Sequence, residues 1–128
     1  MSGARARELA ARLEAAGHPW PAPLHHLEAV SSTNDWLKER ARAGGTSWTA
    51  VWADEQTAGR GRQGRSWASP PGNLFLSVLV RPVRPAPQAS LLPLLAGVAV
   101  ADALVPLGLA AQLKWPNDLL AGGRKLGG

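Results

Sequence analysis

The sequence predicts a mixture of helices and strands, an α+β or α/β fold. Three observations predict it. Short runs rich in Val, Trp and Leu alternate with longer amphipathic or apolar stretches. Gly and Pro punctuate the boundaries between them. Apolar residues make up 45% of the 128-residue chain, enough to bury a core.

The elements follow in order. Residues 3–16 mix Arg5, Arg7, Arg12, Glu8 and Glu14 with Ala and Leu, and read as an amphipathic helix ending near Gly17. They lack the uninterrupted apolar core of a signal peptide. Residues 24–30 read as a short strand. Ser31, Ser32, Thr33, Asn34 and Asp35 then supply helix-starting side chains, and the helix they open stops at Gly44-Gly45. SWTAVWADE (47–55) and NLFLSVLVRP (73–82) read as strands separated by a loop. Residues 89–108 are long enough for a helix, with Pro93 tolerated in its first turn. Residues 110–116 read as a strand, and 117–128 as a hairpin turning at Gly122-Gly123. The nearly uncharged stretch from Pro85 to Gln112 is broken by Pro87, Pro93, Asp102 and Pro106, which argues against a membrane span.

Composition excludes some chemistry. There is no cysteine, hence no disulfide, thiolate nucleophile or thiolate metal site, which fits a reducing cytosol. The net charge of +5 is local. Between Glu55 and Asp102 lie Arg60, Arg62, Arg65, Arg81 and Arg84 and no acidic residue. Such a cluster suggests an anionic partner, a small phosphate compound as readily as a polymer.

Three of those arginines sit in EQTAGRGRQGRSW (55–67), which contains Gly59-Arg60-Gly61-Arg62-Gln63-Gly64. The G-x-G-x-x-G spacing matches a dinucleotide fingerprint, which requires a helix directly after the glycines and an acidic residue about 20 positions on. Pro70-Pro71-Gly72 forbids that helix, and no acid occurs before Asp102. Three readings remain. One is a solvated basic loop. Another is a nucleic-acid-binding module, with Trp67 stacking on bases, although no other nucleic-acid motif is present. The third is a glycine-hinged lid whose arginines hold phosphate or carboxylate oxygens.

Four blocks occur in order: SSTND (31–35), EQTAGRGRQGRSW (55–67), LKWPNDLL (113–120) and GRKLGG (123–128). Together, from about Leu27 to Gly128, they resemble the catalytic domain of biotin–protein ligases, and the resemblance favours the lid. It implies an α+β fold with a mixed β-sheet flanked by helices, the front part of such a catalytic domain. It implies ATP-dependent activation of biotin to biotinyl-5'-AMP, then transfer to a lysine of a biotin carboxyl carrier protein of a carboxylase. It implies ATP, biotin and Mg2+ as substrates and cofactor, a cytoplasmic location, and no DNA or membrane partner; it admits a homodimer. A lipoate ligase or acyltransferase of the same fold group is the nearest rival.

Residue roles follow from the same resemblance. Ser32, Thr33 and Gln56 would hydrogen-bond the biotin head group, with Asn34 in the same motif; Ser32 and Thr33 also suit helix capping. Gly59, Arg60, Gly61 and Arg62 match the lid over biotin and the adenylate. Arg65 would face phosphate, and Trp67 would close the apolar side or pack in the core. Lys125 matches the lysine that reaches the biotin carboxylate and phosphate oxygens, although without the motif it reads as a surface turn lysine. Lys125, Arg60 and Arg62 are therefore the catalytic candidates. Lys114, Trp115, Pro116, Asn117 and Asp118 match the second signature. Lys114 would assist with phosphate charge, with Arg62, Arg65 and Asn117 beside the adenylate. Asp118 would place a metal or orient a lysine, and no metal ligand set is assigned. The resemblance divides the chain into a helical extension, residues 1–26, without a DNA-binding module, and the N-terminal part of the catalytic domain, residues 27–128. It implies further strands, a nucleotide-contacting Gly-x-Asn segment and usually a small barrel beyond Gly128.

Overall fold

A computed structural model of the chain describes residues 2–83 and 86–128. Arg84 and Pro85, counted above in the basic interval and the uncharged stretch, lie outside the described residues. The elements are α1 (Ser2–Ala15), β1 (Leu24–Val30), α2 (Thr33–Arg42), β2 (Ala50–Gln56), β3 (Phe75–Val78), α3 (Ala86–Ala89), α4 (Leu92–Leu104), β4 (Gln112–Lys114), β5 (Asp118–Ala121) and β6 (Arg124–Gly127). They form two compact units, Met1–Arg81 and Pro82–Gly128. The sequence reading sets no boundary there, although the closely spaced prolines of RPVRPAP are the composition that marks one.

In the first unit the strand order is β1-β2-β3. β1 and β2 run parallel, in register from Leu24↔Ala50 to Val30↔Gln56, and β3 pairs antiparallel with β2. The expected mixed sheet is therefore present. Parallel neighbours need a crossover, and α2 supplies it. Successive strand residues point to opposite faces, and β1 shows this directly. His25 lies against Trp36 of α2, with ring centroids 5.0 Å apart. His26 lies against Trp52 and reaches Arg5 of α1. The sheet is thus covered on both faces. Its centre is β2, where Ala50, Val51 and Ala53 are buried, with Leu37 of α2 packed beside them. Full burial of Val51 contributes about 1.5–3 kcal/mol.

Two strands are shorter than their apolar runs. β2 starts at Ala50 rather than Ser47 because Trp48 takes a left-handed conformation (φ 73°) and Thr49 caps a turn onto the Thr46 carbonyl. β3 starts at Phe75 because Asn73 closes a turn onto the Pro70 carbonyl. The Arg81 guanidinium donates to the carbonyls of Ala41 and Gly45, where α2 ends and partial negative charge collects.

The second unit is an antiparallel sheet, β4-β5-β6, with α4 in contact with β4 and β5. The long helix expected over 89–108 is divided. α3 ends at Ala89, α4 starts at Leu92 with Pro93 in its first turn, and a short 3-10 turn follows around Pro106. β5 and β6 turn at Gly122 and Gly123, whose φ values of 57° and 75° suit a tight hairpin that non-glycine residues would strain. No helix among the described residues is long and apolar enough to cross a membrane.

Two groups set an expected pH dependence. Burial first, and the nearby Arg40 charge second, hold His25 below the ordinary imidazole value of 6.5. A hydrogen bond from His26 first, then one from Arg5, hold Asp54 below the ordinary carboxyl value of 3.8. Both groups bind protons more readily in the unfolded chain, so stability rises with pH through both ranges. Thermal melts should therefore show stability intact above about pH 6.5, a first decline below it from His25, and a second below about pH 3.8 from Asp54. His25→Gln should flatten only the first decline. A parent chain equally stable at pH 7.5 and pH 5 contradicts the assignment.

Candidate active site

Because β1 and β2 are parallel, their C-terminal ends lie side by side, the usual location of sites in sheets with parallel strands. The pairing runs on past the strands: Thr57 N–H donates to the Val30 carbonyl and Ala58 N–H to the Ser31 carbonyl. This brings the start of α2 against the end of β2. Ser32 caps α2, its hydroxyl accepting from Asp35 N–H at 3.3 Å. Such a cap contributes about 1 kcal/mol. Thr33 N–H donates to Gln56 Oε1 at 2.9 Å, so a strand side chain satisfies one of the helix's orphan donors.

Hydroxyl protons can be counted here. Thr33 Oγ1 lies 3.0 Å from Gln56 Oε1 and 2.8 Å from Ser77 Oγ, and Ser77 Oγ donates to Asn34 Oδ1. Two hydroxyls have two protons for three contacts. Ser77 O–H goes to Asn34 Oδ1, and the single Thr33 proton serves either Gln56 Oε1, which the Thr33 amide also reaches, or Ser77 Oγ. Gln56 Nε2 donates one hydrogen to Ser69 Oγ at 3.2 Å, and Ser69 donates to the Trp67 carbonyl at 3.0 Å. Ser32, Thr33, Ser69 and Ser77 are all buried. The second Gln56 Nε2 hydrogen and the Ser32 hydroxyl proton have no partner among the described residues.

The Arg/Gly segment is a short hairpin that leaves and returns at this junction. Trp67 N–H donates to the Gly59 carbonyl, Arg60 and Ser66 form a bridge, and Gly61 N–H donates to the Arg65 carbonyl at 2.7 Å. A 3-10 turn at Arg62–Gly64 forms the tip, with Gln63 left-handed at φ 58°. Gly59 is required by space: a Cβ there would lie 2.4 Å from Ser69 Oγ and 2.7 Å from the Trp67 carbonyl oxygen. Trp67 is half-buried, with its ring edge over Gly61.

The arginines divide by use. Arg60 is paired with Asp35 in the first turn of α2, where Lys38 also approaches at 3.9 Å. Arg81 caps α2. Arg62 and Arg65 are exposed and have no partner among the described residues. An anion near the hairpin would therefore meet two guanidinium groups without displacing an existing ion pair.

The second signature lies in the second unit. Lys114 ends β4, and the following turn presents exposed Trp115 and half-buried Pro116 and Asn117. Asp118, opening β5, pairs with Lys125 Nζ of β6 at 3.0 Å. Among the described residues no group of three or more His, Cys, Asp or Glu side chains could hold a metal.

Ser32, Thr33, Asn34, Gln56 and Gly59 thus form one hydrogen-bonded cluster, with Arg60 attached through Asp35. Lys114, Asn117, Asp118 and Lys125 belong to the other unit. The sequence reading missed Ser69, Ser77 and Asp35 as partners. The signal for Ser77 was present: a single hydroxyl inside the apolar run LFLSVLV is a buried hydrogen-bonding group.

Parallel strand ends, a capped helix and a basic hairpin thus meet at one end of the first unit's α+β sheet. Residues 27–128 match the biotin/lipoate A/B protein ligase family, and the chain belongs to that family. It is 43% identical over 129 residues to the biotin–[acetyl-CoA-carboxylase] ligase of Mycobacterium tuberculosis, covering 95% of this chain and 48% of that protein. The biotin protein ligase of Leishmania major in complex with biotinyl-5-AMP superposes with a TM-score of 0.72 at 38% identity, covering 84% of this chain and 50% of that one. The biotin protein ligase of Aquifex aeolicus in complex with biotin and ATP gives 0.66 at 39% identity, covering 80% and 43%. The chain spans between 32% and 48% of the length of the curated relatives it matches.

Gly59→Ala should be among the most damaging conservative changes at the junction. The added methyl must push Ser69 away or move the hairpin, costing about 1–3 kcal/mol. Gly64→Ala, at the hairpin tip with open space around it, should cost less despite its φ of 72°. Denaturant titrations of the two variants check this, and equal destabilisation contradicts the close-approach role of Gly59.

Proposed function

We propose that residues 27–128 are the N-terminal part of a catalytic domain that activates biotin with ATP and transfers it to a lysine of a biotin carboxyl carrier protein, with residues 1–26 as a helical extension. The observation that carries this reading is the hairpin itself. It carries the unpartnered Arg62 and Arg65, and it leaves and returns at a junction with unused hydrogen-bond donors. The relatives crystallised with biotin, ATP and biotinyl-5-AMP support it.

The chemistry needs what these residues offer. In the first step a carboxylate oxygen of biotin attacks the α-phosphorus of ATP. The bond to the β-phosphate bridging oxygen breaks, and pyrophosphate leaves with the electron pair. A carboxylate and a polyanion must approach each other, so the barrier falls through positioning and positive charge, and no enzyme nucleophile is needed. The Gln56 Nε2 hydrogen and the Ser32 hydroxyl would serve the ureido group of biotin, with Thr33 and Asn34 holding them in place. Arg60 anchors the hairpin, Gly61 lets Trp67 close over its apolar side, and Arg62 and Arg65 meet phosphate and anhydride oxygens. Lys125, oriented by Asp118, would reach the carboxylate and phosphate oxygens, with Lys114 and Asn117 as phosphate-side partners. Magnesium would arrive with ATP, held chiefly by phosphate oxygens as that ion prefers. In the second step the neutral amine of a carrier lysine attacks the acyl carbon and AMP leaves. The absence of cysteine removes nothing this scheme requires. A cytoplasmic location belongs to the same reading.

Two outcomes test it in the full-length protein. Lys125→Ala should lower biotin-dependent pyrophosphate release by a hundredfold or so while the fold persists, from a lost charge contact of about 2–5 kcal/mol. Near-parental release returns Lys125 to an ordinary turn lysine. Pyrophosphate release with lipoate but not biotin assigns the chain to the other branch of its family. Arg62→Gly should release biotinyl-adenylate, so that a streptavidin blot shows biotin on a bystander protein that the parent leaves unlabelled. Labelling confined to the carrier with both proteins contradicts a retention role for Arg62.

A further inference from the structure

One polar cluster, built on a buried histidine and an exposed ion pair, lies outside the chemistry above. Asp54 of β2 receives Arg5 of α1, whose Nη1 lies 2.8 Å from Oδ1 and 2.9 Å from Oδ2. His26 of β1 brings Nε2 to 3.0 Å from Asp54 Oδ2. His26 is 3% exposed, and its Nδ1 is buried with no hydrogen-bond partner. The proton on Nε2 therefore faces the carboxylate, which leaves a bare lone pair at Nδ1 rather than a stranded N–H. Arg5 Nη1 also lies 3.0 Å from His26 Nε2, so imidazole and guanidinium converge on one carboxylate. Three elements meet there, and Arg5 precedes the segment that matches the family.

Asp54 stands two residues before Gln56 on the same strand. Gln56 in turn holds the first amide of α2. We propose that Arg5, with His26, is a positioning residue: by clasping Asp54 it fixes the last residues of β2, and so the direction in which Gln56 presents its amide to Thr33 and to ligand. This rests on the biotin reading of the junction. A surface ion pair by itself is worth little. A pair that also engages a buried imidazole and orders a strand end can still set the geometry of a neighbouring site. Arg5 would act only through Asp54.

The test uses the full-length protein, with site-resolved hydrogen exchange and calorimetric titration of biotin. Arg5→Met keeps the aliphatic stem and removes the guanidinium; Arg5→Lys keeps a cation. Arg5→Met should speed exchange at the Thr33 amide while the Val51 and Ser77 amides of the sheet keep their protection. It should weaken biotin binding by about three- to tenfold, the scale on which residues remote from a ligand modulate its site. Arg5→Lys should restore most of both effects. Asp54→Asn covers the case in which Arg5→Met unfolds, and should reproduce the selective change at Thr33. Unchanged Thr33 exchange and parental affinity in Arg5→Met overturn the proposal. So does a uniform loss of protection across β1 to β3 in both Arg5→Met and Asp54→Asn, because the clasp then holds the whole sheet rather than the site. If the parent itself fails to bind biotin, the ligase reading fails, while the Thr33 exchange still reports on the clasp.

Discussion

The hydrogen bond from the Thr33 amide to the Gln56 side chain is the contact on which the junction depends. Helices begin with donors that have no partner within the helix, and here the side chain of a residue 23 positions on supplies an acceptor for one of them. With the backbone bonds from Thr57 to Val30 and from Ala58 to Ser31, that link sets the distance between the end of β2 and the start of α2. It also fixes the Gln56 amide so that its nitrogen faces Ser69, and Ser69 fixes the return of the hairpin through the Trp67 carbonyl. The chain of contacts leaves no space at Gly59 for a side chain. A glycine required by close approach and a buried set of hydroxyls are thus consequences of one polar link between helix and strand.

Charge is distributed with the same economy. The basic interval of the sequence looks uniform, but its arginines meet different surroundings. Arg60 finds Asp35 and Arg81 finds the carbonyl end of α2, so both serve structure. Arg62 and Arg65 stand at the tip and far arm of the hairpin with no partner among the described residues. Exposed guanidinium groups without counter-ions are free to meet phosphate or carboxylate oxygens. The proposed acid-activating reaction would use such unspent charge. Asp118 and Lys125 follow the opposite pattern, since a carboxylate already directs the lysine amine.

Much of this was legible in the sequence. The β1 and β6 regions, the cap before α2 and the hairpin turn at Gly122-Gly123 follow from periodicity and turn residues, whose causes are local; the mixed sheet follows only from the family resemblance. What was not legible depends on contacts between distant residues. Nothing local requires Trp48 to turn left-handed, which removes three residues from the expected strand at 47–55. The division at Arg81 lies in a proline-rich stretch that reads equally well as a loop. At the site, the motifs named the residues but not their relations. That Gln56 reaches Thr33, that Arg60 is committed to Asp35, and that Arg5 closes on Asp54 are facts of tertiary geometry. The last is the least accessible, because Arg5 in an Ala- and Arg-rich helix looks like any solvated charge.

The most direct measurement is a calorimetric titration of biotin into the full-length protein and into Gln56→Leu, which keeps the approximate volume and removes the amide. The expected result is cooperative folding in both and binding to the parent. The variant should lose at least about tenfold in affinity, because an unsatisfied Thr33 amide and a missing donor each cost about 1–3 kcal/mol. A variant that folds and binds biotin as tightly as the parent contradicts the central place given to this contact.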